Sequence, residues 1–285
     1  MFFNSYFSER EIRMNKPIFA IAGLLALLGL PTNVFAAELG SQSYEAEGIE
    51  HGISESGLTG LTHVISPYTM GYGLAATVNG GIQPQAGVGN AIILYPAVTL
   101  GLGSRIELSA RTALVNTPTV SSAIGDTEFS AKYRFRSLGE TMPAMAVVAT
   151  VILPTANNAA STDVNTASGR IFVVAGGDVQ VSDNTVIGIY ANVGANFIDP
   201  GEATQNNYMS YGLGIMAPIS DDNRLHGYIE FNTNPGKTTN TAIGRDWNGH
   251  LTLGARYTTK LLKISAGVEN GWAGTVLVAG VTVGF

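Results

Sequence analysis

The chain has 285 residues with a formal net charge of −6, no cysteine, 45% hydrophobic residues and only 13% charged residues. The lack of cysteine excludes disulfides, thiol catalysis and cysteine-based metal sites. The mild acidity argues against nucleic acid as a partner, because nucleic acid requires a basic surface. Charged residues make up about half of the usual share of roughly 25%. This low share predicts that part of the surface faces a medium other than water.

The N-terminus has the layout of a secretory signal. Lys16 precedes an apolar run over residues 18–30, and the sequence Val-Phe-Ala then ends at Ala36. The run is too short for a membrane-spanning helix, which needs about 20 apolar residues. We therefore predict a signal peptide over residues 1–36, cleaved after Ala36, in preference to a buried N-terminal helix. Met14 is the expected true start.

Residues 37–70 have weak periodicity, several acidic residues, and the histidines His51 and His63. Two interpretations remain open for this segment. It is either a periplasmic tail or a plug folded into the domain that follows. A metal site built from its histidines and acids is a weaker interpretation than a solvated tail.

The rest of the chain divides into segments in which polar and apolar residues alternate. In the clearest one, GDTEFSAKYRFR at residues 125–136, Phe129 and Tyr133 fall on one face and Glu128 and Lys132 on the other. Side chains alternate across a β-strand, so one face of this strand is apolar and the other ionic. An exported chain of this kind, without apolar runs of 18 residues, is typical of a barrel in the outer membrane.

About twelve such segments can be counted, an even number as single-chain bacterial barrels require. They lie near 71–82, 91–101, 104–115, 125–136, 142–154, 169–182, 185–198, 207–219, 223–234, 247–259, 261–270 and 275–285. The predicted fold class is therefore all-β, a transmembrane antiparallel β-barrel of about 12 strands over residues 71–285, located in the outer membrane of a Gram-negative bacterium.

The connections support this assignment. Very tight turns follow the second, sixth, eighth and tenth segments, whereas most connections after odd segments are longer, such as 155–168 and 235–246. Short periplasmic turns opposite longer external loops are typical of outer-membrane barrels. The last segment ends on Phe285, which resembles the signal read by the barrel-assembly machinery. That machinery and outer-membrane lipid are the expected partners.

Two stretches resemble a known family. They are YPAVTLGLGSRIEL at Tyr95–Leu108 and GDTEFSAKYRF, which begins at Gly125. Both are similar to the outer-membrane transporter family linked to the meta-pathway of phenol degradation, and the resemblance extends weakly over most of residues 65–285. It implies a barrel and the transport of small organic compounds. It implies no particular binding residues.

Charged and histidine side chains on the polar faces of the strands are the candidate site. The predicted lumen-lining residues are Arg105, Glu107, Arg111, Asp126, Glu128, Lys132, Arg134, Arg170, Asp178, Glu230, His250, Arg256, Lys263 and Glu269. They could form a polar lumen that admits solutes, or a salt-bridged network that fills a narrow barrel and fixes its register. Barrels of 8 strands are filled by side chains and those of 16–18 strands hold water, so twelve strands leave both readings open.

An enzyme is not predicted. The sequence contains neither a G-x-S-x-G nor an H-E-x-x-H string, and Asp221 and Asp222 are better read as turn formers than as an acid pair. We expect no catalytic residues, no metal and no cofactor. The expected function is a channel for passive passage of small molecules, aromatic or otherwise apolar ones among them. The alternative is a non-conducting structural or adhesive barrel whose external loops bind partners.

Overall fold

The computed structural model describes residues 52–85, 89–118, 120–138, 142–156, 167–182, 185–197, 207–233, 249–259, 261–271 and 274–284. Within these ranges the fold is all-β, and twelve antiparallel strands close into a barrel. The predicted fold class and strand number are confirmed. The predicted signal peptide, the residues up to 51 and Phe285 lie outside the described residues.

The first two strands, β1 (Gly52–Ile53) and β2 (Thr59–Gly60), pair only with each other. The barrel strands are β3 (Gly71–Gln85), β4 (Gly89–Gly103), β5 (Ile106–Thr117), β6 (Val120–Arg136), β7 (Ala144–Leu153), β8 (Ser168–Ser182), β9 (Thr185–Phe197), β10 (Asn207–Pro218), β11 (Leu225–Thr233), β12 (His250–Thr258), β13 (Leu262–Gly271) and β14 (Gly274–Gly284). Each pairs with its neighbours in sequence, and β14 closes the wall on β3, for example through Val281 and Val78.

Alternation along the strands gives the barrel two different faces. On the outer face, Phe129, Leu253 and Val281 are 48%, 52% and 44% exposed. On the inner face, Lys132 and Arg256 are buried. Closure of the barrel lets every strand pair on both sides, so that the main chain forms its hydrogen bonds within the wall, as a bilayer requires. The apolar outer face is then suited to contact lipid, and the polar side chains face the interior. The protein is therefore a transmembrane barrel of the outer-membrane type.

A search of the described residues for helices finds none with the length and apolarity needed to cross a bilayer.

The connections follow the predicted rhythm only in part. At the end where β3 begins, two residues separate β4 from β5 and β8 from β9, but seven separate β6 from β7. At the opposite end, 14 residues separate β7 from β8 and 16 separate β11 from β12, as predicted, whereas two separate β5 from β6. The sequence suggested a later start for β6, which in fact begins at Val120, because a β-bulge against β5 lets the pairing continue.

Residues 52–70, called here the inner segment, lie inside the barrel. They form a short hairpin with its turn at Gly57, which has a φ of 79°, a value that suits glycine. The chain then passes directly into β3 at Gly71. Leu58, Leu61 and Val64 have no exposed surface. The inner segment is therefore enclosed by the strands that follow it in sequence.

Candidate functional site

The inner segment is held mainly through its main chain by side chains on the inner wall. Hydrogen bonds to its carbonyl oxygens come from Asn79 on β3, Thr99 on β4, Ser109 and Arg111 on β5, and Arg256 on β12. β3, β4 and β5 are consecutive in the barrel, and β12 is separated from them by β13 and β14. The contacts to the carbonyl oxygens therefore come mainly from one side of the wall, with a further one from β12.

The strongest anchor is a buried ion pair between β5 and β6. Lys132 Nζ lies 3.1 Å from Glu107 Oε1, and both side chains are fully buried. The same carboxylate accepts the main-chain N–H groups of Thr59, at 2.7 Å, and of Met70, at 2.9 Å. Lys132 also donates to Thr59 Oγ1. A buried carboxylate needs such partners, because an unpaired charge in this position would be very costly.

A second anchor centres on His63. Its Nε2 lies 2.7 Å from Glu269 Oε2 on β13, and its Nδ1 lies 3.2 Å from Glu55 Oε2 within the inner segment. Glu230 on β11 accepts the main-chain N–H groups of His63, at 3.1 Å, and of Val64, at 3.0 Å. One imidazole therefore meets two carboxylates, and a third carboxylate holds the backbone beside it.

The charge of His63 is favoured by these neighbours. Burial disfavours the imidazolium, but the carboxylates of Glu55 and Glu269 outweigh it and raise the pKa of His63 well above its usual value. Both ring nitrogens face acceptors, and only the protonated ring can donate from both. His250 extends the cluster, with its Nδ1 3.0 Å from Glu269 Oε1.

Apolar contacts also hold the inner segment against the wall. Leu61, Val64 and Tyr68 join a buried cluster with wall residues that include Tyr190 and Tyr228. The rings of Tyr68 and Tyr190 meet edge to face with their centroids 6.5 Å apart, a favoured aromatic geometry. A second cluster brings Leu58 and Ile65 of the segment against Ala146, Val148 and Val174.

A third polar group lies on β5, β6 and β8. Arg111 donates to both carboxylate oxygens of Glu128, with Nε to Oε2 at 3.0 Å and Nη2 to Oε1 at 2.8 Å. Arg170 Nη1 lies 3.4 Å from the same carboxylate. The guanidinium of Arg111 also lies over the ring of Tyr95, 5.0 Å from its centroid. A third donor of Arg111 reaches the main-chain oxygen of Glu55, at 2.5 Å, so this group contacts the inner segment as well.

The remaining predicted residues are scattered over the inner wall and the rim. Asp178 accepts a hydrogen bond from Tyr190, at 2.8 Å, and Asp126 accepts the main-chain N–H of Ala156, at 3.1 Å. Arg134 is buried on β6, and Lys263 is half-buried near the start of β13. Arg105 differs from the prediction. It lies in the exposed turn before β5, because that strand begins one residue later, and so it does not line the inner wall.

Sequence analysis missed the partners that give the inner wall its order. Thr59 and Met70 offer main-chain N–H groups, which no side-chain pattern reveals. Glu55 and His63 were visible only as an acid and a histidine in a segment of weak periodicity. Their one signal was the absence of a matching strand pattern before residue 71. Among the described residues, no group of three or more His, Asp or Glu side chains is arranged to hold a metal ion.

No protein-family model matches the chain. No curated protein matches it either.

Several solved structures of outer-membrane barrels are similar to it. The KdgM porin is 12% identical with a TM-score of 0.47, over 74% of this chain and 99% of that one. An outer membrane channel from Pseudomonas putida F1 is 14% identical with a TM-score of 0.48, over 75% and 96%. LpxR from Salmonella typhimurium, an enzyme, is 10% identical with a TM-score of 0.44, over 75% and 100%. Since channels and an enzyme both appear, these low similarities do not assign a function.

Proposed function

We propose that this protein is an outer-membrane channel for the passive passage of small molecules, closed at rest by the inner segment. One observation carries the proposal: residues 52–70 occupy the lumen of a closed twelve-stranded barrel and bind wall side chains on many of its strands. A barrel of twelve strands lies between the filled barrels of 8 strands and the water-filled ones of 16–18 strands, and displacement of the inner segment would free the part of the lumen that it occupies.

The way the segment is attached favours a removable plug. The ladder of twelve strands closes without any hydrogen bond from β1 or β2. The segment joins the wall at Gly71 and otherwise contacts it through side chains. It can therefore leave the lumen without breaking a strand pairing. In a barrel whose wall depended on a filled core, removal of that core would also disrupt the pairing of the wall strands.

We further propose that the solutes are small organic molecules, aromatic or otherwise apolar ones among them. The resemblance to the phenol-pathway transporter family supports this proposal. The lumen also contains Tyr95, Tyr190 and Tyr228, and ring faces beside charged side chains suit molecules with one apolar and one polar end.

Conductance in a planar bilayer tests the proposal. Three forms are compared: the mature chain, a deletion of residues 37–70 and, as the matched control, a deletion of residues 37–51, which leaves the inner segment intact. We expect small steps from the mature chain and the control and larger steps from the longer deletion. Swelling of liposomes with phenol or benzoate as the test solute should increase in the same order. Absence of conductance in all three forms would overturn the channel.

The alternative is a non-conducting structural or adhesive barrel. The ion pairs Arg111–Glu128 and Lys132–Glu107, which cross between neighbouring strands inside the wall, favour it. In that case the inner segment is a permanent core, and its deletion should prevent assembly rather than open a path. Migration on a gel with and without heating distinguishes a folded deletion variant from an unassembled one.

We also propose that the barrel-assembly machinery recognises the C-terminal segment 275–285, which the sequence predicts as the last strand and which ends in Phe285. The alternation of β14, with Leu277 and Val281 on the outer face, supports an outer-membrane destination. Phe285→Ser should reduce the amount of folded barrel in the outer membrane, and Thr282→Ser, a mild change in the same strand, should not. Equal yields of folded barrel from the two variants would contradict this recognition.

A further inference from the structure

The charges of the inner segment are few and concentrated. Across residues 52–70, the only acidic side chain is Glu55 and the only basic one is His63. The two contact each other, with His63 Nδ1 3.2 Å from Glu55 Oε2. The other ring nitrogen lies 2.7 Å from Glu269 on the wall. The contact between His63 and Glu269 therefore joins a charged side chain of the inner segment directly to a wall strand.

The surroundings of His63 are mostly acidic. Facing it are Glu55 from the segment, Glu230 from β11 and Glu269 from β13. One cationic side chain of the wall, Arg256 on β12, lies close to this group. It donates to the main-chain oxygen of Gly60 at 2.9 Å, and its charge acts on Glu230.

Two further wall groups adjoin this cluster. His250 on β12 contacts the other oxygen of Glu269, and Tyr228 on β11 shares a hydrogen bond with Thr62 at 2.9 Å. Arg111 approaches from β5: it donates to the main-chain oxygen of Glu55, and its charge also acts on the Glu55 carboxylate. His63 is the group that contacts both Glu55 and Glu269, one through each ring nitrogen.

We propose that His63 is a proton-controlled latch of the inner segment: the protonated imidazole holds the segment on Glu269, and loss of that proton at alkaline pH releases it and opens the lumen. This inference rests on the proposed channel function and adds its regulation. The neutral ring can donate from only one nitrogen, so one carboxylate loses its hydrogen bond. The carboxylates then repel each other without the charge between them.

The direction of the pH effect follows from the cause of the shift. The pKa of His63 is raised in the folded protein by Glu55 and Glu269 against the effect of burial. A group with a raised pKa contributes its full stabilisation below its ordinary value, about 6.5 for histidine. That contribution is lost as the pH rises through the raised pKa. The latch is therefore closed at neutral pH and opens on the alkaline side.

The release is expected to be local. The ion pair of Glu107 and Lys132 holds Thr59, Ser66 and Met70 at other points of the segment, and it contains no histidine. Residues 60–65 should therefore leave the wall first, while the segment stays tethered at β3.

The test is conductance of the full mature chain in a planar bilayer, measured from about pH 6, near the ordinary pKa of histidine, to about pH 10. We expect a low conductance that rises severalfold toward alkaline pH. His63→Gln should conduct at every pH without the alkaline rise. Glu55→Gln removes one carboxylate and so should move the rise to lower pH, by about 1 unit or more.

A matched control is His226→Gln. His226 is a buried histidine on the inner face of β11, and no hydrogen bond joins it to residues 52–70 in the part of the chain that the structure describes. This variant should keep the profile of the unmodified chain. The same rise in His63→Gln as in the unmodified chain would overturn the latch, and so would a Glu55→Gln profile that does not move.

A labelling experiment gives a second readout that does not depend on conductance. The chain has no cysteine, so Val64→Cys introduces a single thiol at a fully buried position beside His63. At neutral pH a membrane-impermeant maleimide should label it at least about tenfold faster when His63→Gln is added, a change equivalent to one pKa unit of coupling. Equal rates would overturn the latch.

Deletion of residues 37–70 separates the two proposals. If the deletion variant does not conduct at any pH, the channel itself is wrong. If it conducts at every pH while the unmodified chain and His63→Gln both stay closed, the channel stands and the latch is wrong.

Discussion

The two faces of the barrel wall are stabilised by different kinds of interaction. On the outer face, about half of the surface of Leu253 and of Phe129 faces the surrounding medium, and each position has the same requirement, to be apolar. On the inner face, the Glu107 carboxylate has three specific partners, which are Lys132 and the N–H groups of Thr59 and Met70. The outer face therefore depends on composition along one strand, whereas the inner face depends on partners distant in sequence.

The difference predicts how each face responds to substitution. The outer face should accept exchange among apolar residues, because lipid imposes no fixed shape. The inner face should respond strongly to loss of one partner, because removing one half of a buried ion pair leaves the other charge uncompensated.

The largest effect is expected at the buried pair. Lys132→Met leaves the Glu107 carboxylate buried without its cation, and it should lower the free energy of unfolding by about 3–5 kcal/mol. Adding Glu107→Gln should restore much of this loss. Urea unfolding of the barrel in lipid vesicles measures both.

Arg224→Met is the matched control. Arg224 and Asp222 form an ion pair at 3.6 Å in the exposed turn before β11. Exposed pairs contribute little, so no measurable change is expected. A similar loss from Arg224→Met and Lys132→Met would mean that burial of the inner pair has no energetic consequence.

The strands could be predicted from the sequence because the outer face is a single-strand property. Phe129 and Tyr133 alternate with Glu128 and Lys132 wherever β6 is placed, so period two reveals the strand and its facing at once. The pattern is weaker where both faces carry small apolar residues, as in Ala144–Leu153. The sequence predicts a strand there, but it does not predict which side chains face the interior.

The candidate site could be predicted only as a set of residues. Glu230 and Glu269 were assigned to the interior by parity, but nothing in the sequence connects them to His63, which lies 167 and 206 positions away. Long-range contacts of this kind depend on closure of the barrel and on the path of an irregular segment. Arg105 shows a different difficulty, which is the exact position of a strand end. Because β5 begins at Ile106, Arg105 lies on the exposed rim and not on the inner wall.

A charge on the outer face should have the next largest effect. Leu253→Arg places a guanidinium against lipid and should cost about 2–4 kcal/mol near the bilayer midplane, with Leu253→Phe as the matched control. Alternation alone would make Thr252→Arg the tolerated counterpart. The structure revises that expectation, because Thr252 is fully buried and pairs in register with Glu230 and Glu269. Equal folding yields of Leu253→Arg and Leu253→Phe would contradict the outward facing.

A substitution at Gly214 tests the fit between wall and inner segment. A Cβ there would lie 2.5 Å from Leu61 Cδ1 and 3.4 Å from Val64 Cβ. Gly214→Val should therefore cost about 1–3 kcal/mol by overpacking and raise conductance by pushing the segment away. The control is Gly227→Val, where the nearest atom to a Cβ is Ile219 Cγ2 at 3.4 Å.

The same substitution can be repeated without the inner segment. In a variant that lacks residues 37–70, Gly214→Val should have almost no effect on stability, because its opposing atoms are gone. A cost that persists in the deletion variant would show that the wall itself, and not the segment, requires glycine at this position.

The smallest effect is expected at Glu128, and it bears most directly on function. Glu128→Gln keeps one acceptor for Arg111 but removes the charge that faces Arg111 and Arg170. We expect a loss of about 1 kcal/mol of unfolding free energy, because one charge-assisted hydrogen bond is replaced by a neutral one. Conductance of the full chain should not change, since the anchors at Glu107 and His63 remain.

In the variant without residues 37–70, the reversal potential under a KCl gradient should shift toward anion selectivity, because two arginines then line the path without their counter-charge. A loss of stability with no shift in the reversal potential would mean that the Arg111–Glu128–Arg170 group fixes the strand register and does not line a conducting path.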